Sequence, residues 1–207
     1  MTLCWFLPSK TAKLLLCLLF TAMASPVALA ANNSGSGSQQ EHDTQQTIAA
    51  TLVPADFNIP QQVVLPKLKL LKVDPAYARQ DYQALMAARK QIRQDLGSDW
   101  PADNLTLAEN KTSLINDLNA FNQRRNFTYH LLEPASGRVI GCLYISQSGS
   151  AQYQASVYYW LIPEIYQSSA HPTIRADIKK WLSTSWPFTA VGYSLNWALL
   201  TPSEQQF

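Results

Sequence analysis

The sequence predicts an α+β domain built on a mixed, mostly antiparallel sheet with helices on both faces. Three observations carry that expectation. Runs of alternating or wholly apolar residues at 67–73, 127–132, 139–145 and 153–162 read as strands. Apolar residues recur at helical spacing over 78–96, 107–121 and 174–182. The resulting order is strand, helix, helix, three strands, helix, strand, and it places a run of hairpins in the middle of the domain.

In chain order, Lys67 to Val73 alternates basic and apolar residues, as a half-buried edge strand does. Asp74-Pro75 then reads as an N-cap followed by the first helical position. Ala78, Tyr82, Leu85, Met86, Ile92 and Leu96 form the apolar stripe of the first helix, and Gly97 stops it. Thr106-Leu107-Ala108-Glu109 is a capping box for a second helix, with Leu107, Leu114, Ile115, Leu118 and Phe121 as its stripe. Arg124-Arg125 sit at its end, where the helix dipole favours cations. Phe127–Leu132 and Val139–Ile145 flank Glu133-Pro134-Ala135-Ser136-Gly137-Arg138, whose Pro and Gly suit a hairpin loop. Both alternating sets of 139–145 are apolar or small, which marks a central strand covered on two faces. An aromatic strand, Tyr153 to Ile162, precedes a helix opening at His171-Pro172, and Thr189 to Leu195 is the final strand.

What precedes the domain reads as export machinery. Residues 1–30 combine Lys10 and Lys13, an apolar run from Leu14 to Met23, and Ala28 and Ala30 at an A-x-A cleavage site. The apolar run falls short of the roughly 20 residues that span a bilayer, so no stable anchor is expected after cleavage. Residues 31–47 are an Asn/Ser/Gly/Gln-rich linker, 48–66 an extended, irregular arm carrying Pro54, Pro60 and Pro66 and expected to pack partly on the domain, and 67–207 the domain. The expected location is the periplasm or the outside of the cell. Lys10 and Lys13 account for the whole formal charge of +2, so the processed chain is neutral. Neutrality excludes a nucleic-acid binder that relies on excess Lys and Arg, and a polybasic membrane-surface protein.

Cys4 and Cys17 leave with the leader, so Cys142 remains alone and reads as a small buried residue. Asn32, Asn104, Asn110 and Asn126 head N-x-S/T triplets. His42, His130 and His171 are dispersed with no carboxylate at metal-ligand spacing, so no metal site is expected. His130 reads as a surface or sheet-edge residue, and Glu133 as a solvated turn residue or else a general base. The strings of zinc proteases, serine hydrolases, nucleotide-binding loops and calcium loops are absent.

The element order, together with Asp99 to Asn110, Phe127-Thr128-Tyr129, Leu132-Glu133-Pro134, Ile140 to Ile145 and Asp177 to Phe188, resembles the Gcn5-related N-acetyltransferase (GNAT) superfamily over roughly residues 66–197. It looks like a divergent bacterial subgroup without a well-defined substrate. The resemblance implies a thioester arm held by the backbone of the fourth strand around Val157, Tyr158 and Tyr159. It also implies a pyrophosphate at the start of the following helix near His171 and Arg175, with Glu133 as the catalytic base and acetyl-CoA or another acyl-CoA as donor. Tyr144, Tyr158 and Trp160 become walls of a ligand cleft; their alternative reading is ordinary packing on both faces of the sheet.

Three features depart from the pattern. Residues 161–172 hold Glu164 and no glycine where the superfamily has a glycine-rich phosphate loop, and Pro172 lacks an N–H. The domain is truncated relative to the superfamily, since only residues 197–207 follow Asn196 and the Tyr that protonates the departing thiolate has no counterpart. An exported protein is also separated from cytoplasmic acyl-CoA. The expected function is therefore a divergent or non-catalytic acyltransferase-like module that binds a small ligand or an envelope protein. The alternative is an active N-acyltransferase.

Overall fold

A computed structural model describes residues 51–193, so the leader, the linker, the first three residues of the arm and the last residues lie outside the description. Six strands form one sheet in strictly sequential order: β1 (Gln62–Val64), β2 (Lys69–Lys72), β3 (Phe127–Leu132), β4 (Val139–Gln147), β5 (Ala155–Leu161) and β6 (Val191–Tyr193). Every neighbouring pair is antiparallel except β5 with β6, which is parallel. A parallel pair needs a crossover, and α3 (Pro163–Tyr166) and α4 (His171–Ser185) supply it. The mixed, mostly antiparallel α+β class is as the sequence predicts.

The helices form where capping chemistry tells them to. The Asp74 carboxylate accepts from the Ala76 N–H at 2.8 Å, starting a short 3-10 turn that runs into α1 (Ala78–Leu96). Gly97 ends α1 in the left-handed region at φ 58°. In α2 (Leu107–Asn122), Thr106 and Glu109 exchange both bonds of the capping box.

Strand alternation assigns the two faces of the sheet. Tyr129, Leu143 and Tyr159 point to the face carrying α4, where Tyr129 meets Trp181 edge-on at 5.5 Å. His130, Cys142 and Trp160 stand side by side on the other face, beneath α1 and α2. All six residues of β3 are buried, as are the first five of β4, because both faces are covered.

Three expectations are corrected. β2 is not an edge strand, because β1, an element the sequence did not disclose, pairs along its outer side. β1 belongs to the proline-containing arm, which packs on the domain elsewhere too: Val53 is buried, the Leu52 N–H donates to the Arg124 carbonyl at 2.8 Å, and the Arg124 guanidinium binds the carbonyls of Pro54 and Phe57. Ile115, placed on the apolar stripe of α2, is exposed. His130 is fully buried, since the face that alternation assigns it is the one covered by α1.

Candidate functional site

Among the described residues, the buried polar side chains Asp81, Asn110, Thr128 and His130 cluster between α1, α2 and strands β3 and β4, while Lys179 lies apart on α4. Asp81 is the hub. It lies on the buried stripe of α1 with Ala78, Ala84, Leu85, Ala88 and Ile92. Its Oδ2 is 3.0 Å from Cys142 Sγ and 3.4 Å from His130 Nδ1, while Oδ1 accepts from Asn110 Nδ2 at 2.8 Å. Cys142 Sγ and His130 Nδ1 are 3.6 Å apart, as their direct cross-strand pairing requires. His130 Nε2 lies 3.2 Å from both the N–H and the carbonyl of Asp74. Burial pushes the Asp81 carboxyl up, but His130, Asn110 and Cys142 together outweigh it and hold the group below its ordinary value. Burial and the Asp81 charge push the Cys142 thiol well up.

Asp117 of α2 approaches the same group and hydrogen-bonds Thr128. Burial, reinforced by the negative charge of Asp81, raises its carboxyl to about 7. A raised folded value means that the folded state holds its proton while the unfolded state has released it. Asp117 therefore leaves stability intact below about pH 4, erodes it between about pH 4 and 7, and costs a constant amount above that. Asp117→Asn should stabilise the protein by roughly 1–3 kcal/mol near pH 8 and leave it unchanged near pH 4 in urea denaturation. Equal effects at the two pH values would contradict the burial of that charge.

The residues singled out from the sequence fall in three places. Glu133 opens the β3–β4 hairpin loop, where it accepts from Ser136 Oγ at 2.5 Å and lies 3.8 Å from Arg138 Nε. Among the described residues, no hydrogen bond or ion pair joins it to the other candidates. Val157 pairs with Tyr193 in the parallel ladder. Tyr159 Oη is 2.5 Å from His171 Nε2, and His171 Nδ1 is 2.9 Å from the Tyr166 carbonyl. Burial, with Arg175 nearby, lowers the His171 pKa, so its imidazole is neutral. Tyr144 and Tyr158 stack at 6.2 Å on the face beneath α1, and Trp160 Nε1 donates to Tyr144 Oη at 3.3 Å. The buried Tyr158 hydroxyl has no hydrogen-bond partner among the described residues.

Two shallow cavities accompany these groups. One of about 260 Å³ lies between α1 and α3, against Lys90, Gln91, Gln94, Pro163 and Tyr166. The other, about 320 Å³, lies between the docked arm and Gln147, Gln154 and Phe188.

Sequence reasoning missed Asp81, Asn110 and Asp117. For Asp81 a signal existed: it is the one acid at stripe spacing among Ala78, Leu85, Ala88 and Ile92. Asn110 was noticed only as the head of an N-x-T triplet, and burial of its side chain against Asp81 removes it from solvent.

No protein-family model matches the chain, and no curated protein matches it. Solved structures with a related arrangement are acetyltransferases. The Microcin C7 self immunity acetyltransferase MccE, in complex with acetyl-CoA and AMP, is 14% identical with a TM-score of 0.49, over 62% of this chain and 71% of that one. The ribosomal-protein acetyltransferase RimL, in complex with coenzyme A, is 16% identical with a TM-score of 0.47, over 60% and 69%. A ribosomal-protein-alanine acetyltransferase from Vibrio fischeri is 13% identical with a TM-score of 0.41, over 58% and 66%.

Proposed function

We propose that this protein is an exported, non-catalytic module of acyltransferase-like fold, which binds a small ligand where β5 hands over to α3. The observation that carries this reading is the local chemistry at the start of α4. A helix start binds a pyrophosphate through free N–H groups and positive charge. Here the His171 N–H is spent on the Ser168 carbonyl at 3.2 Å, and Pro172 has none. The His171 ring is neutral, and its two nitrogens are held by Tyr159 and Tyr166. The segment that would open as a phosphate loop is wound into α3, whose Tyr166 instead walls the groove beside Lys90.

One observation favours the second reading, an active N-acyltransferase. The parallel pair β5–β6 stands at the edge of an antiparallel sheet, in the position where the superfamily resemblance puts the thioester arm. A thermal-shift titration with acetyl-CoA separates the two. No rise in Tm is expected at millimolar acetyl-CoA, whereas a rise that grows with concentration would establish donor binding and reverse the preference. Export rests on the leader pattern of residues 1–30, and cell fractionation tests it: the processed chain is expected outside the cytoplasm.

A further inference from the structure

We propose that Asp81, His130 and Cys142 form a buried binding site for a divalent transition metal, of which zinc is the best match. Three elements bring one carboxylate oxygen, one imidazole nitrogen and one sulfur to a single point. Their separations are 3.0 Å (Asp81 Oδ2 to Cys142 Sγ), 3.4 Å (Asp81 Oδ2 to His130 Nδ1) and 3.6 Å (Cys142 Sγ to His130 Nδ1). A tetrahedral zinc with bonds of about 2.0–2.3 Å holds such atoms roughly 3.3–3.6 Å apart. Two of the three edges already have that length, and the third must open by about half an ångström to reach it.

The atoms that do not converge are tied down from behind, which is how ligands of a metal are oriented. Asn110 Nδ2 holds Asp81 Oδ1 at 2.8 Å, fixing the carboxylate so that Oδ2 faces the sulfur and the ring. With a metal on Nδ1, His130 carries its proton on Nε2 and donates it to the Asp74 carbonyl at 3.2 Å, and the Asp74 N–H gives up its own bond to that nitrogen. Side-chain exposure of His130 and Asp81 is 0% and 3%, so water does not compete for them as it does at a surface acidic cluster. Thiolate and imidazole select zinc over magnesium or calcium, which prefer oxygen alone.

Charge balance runs the same way. A carboxylate, a thiolate and a neutral imidazole neutralise a divalent ion, so the loaded site carries no net charge into the core. Loading transfers the Cys142 proton to solvent as the sulfur–metal bond forms, with no change of oxidation state. Sequence spacing does not bring these three groups together, because they come from α1, β3 and β4, and only the β3–β4 register and the phase of α1 join them.

Cobalt(II) is the probe, since its thiolate charge-transfer and tetrahedral visible bands report both sulfur ligation and geometry. The full chain, stripped of metal with chelator, is expected to bind one equivalent of cobalt with both bands, and zinc should displace it. Cys142→Ala should lose the charge-transfer band, and subtracting its spectrum removes any signal from Cys4 or Cys17. Asp81→Asn should weaken binding at least tenfold. Absence of a Cys142-dependent thiolate band in the wild-type chain overturns the proposal, and that readout stands even if a variant does not fold. An acetyl-CoA response would leave the site untouched, so this test and that of the binding-module reading fail separately.

Discussion

Gly141→Ala should unfold the middle of the sheet. A Cβ at this position would lie 2.0 Å from the carbonyl oxygen of Trp160, 3.1 Å from its carbonyl carbon and 3.2 Å from Leu161 Cα. All three are backbone atoms of β5, so no rotamer change relieves the overlap. Either β4 and β5 separate or the ladder through Cys142 and Trp160 is lost. The expected cost is roughly 3 kcal/mol or more, a large share of a small domain's stability, and a Tm lowered by about ten degrees. Gly149→Ala is the control, because nothing lies within 4 Å of its added carbon and it is expected to be nearly neutral. Thermal denaturation of the two variants checks this; a Gly141→Ala protein melting with the wild type would mean that β4 and β5 are further apart than described.

Asp81→Ala should be comparably damaging for a different reason. It strips the acceptor from Asn110, the partner from His130 and the contact from Cys142, all of them buried. Removing one partner from a buried charged cluster costs about 3–5 kcal/mol, because the groups left behind keep their desolvation penalty. Asp81→Asn retains the shape and one acceptor oxygen, so it should cost less. Urea midpoints for the pair order the outcomes, and equal stability of Asp81→Ala and wild type would show that the cluster is not held from water.

Much of the architecture was legible because it is written in local chemistry. The Thr106–Glu109 box, the Gly97 stop, and the Pro and Gly of the 133–138 loop each act within a few residues, and the structure uses every one. β1 was not legible, since Gln62, Val63 and Val64 are too few to show a period. The polar cluster was hidden for a deeper reason. His130 alternates with Tyr129 and Leu131, and alternation separates two faces without saying which of them is wet; when α1 covers one and α4 the other, both are dry. Asp81 and Cys142 are far apart in the chain, and no local signal connects them. Of the residues named for acyl transfer, His171 and Tyr159 do meet, held together by a hydrogen bond.

The strictly sequential order of the six strands also bears on how the molecule is made. A chain that emerges N-terminus first lays down each strand beside one already present, so no strand must insert between two others. Two strands arrive after helical detours, β3 through α1 and α2 and the parallel strand β6 through α3 and α4. The antiparallel run from β1 to β5 can therefore assemble in the order of its synthesis, and β6 joins after those five.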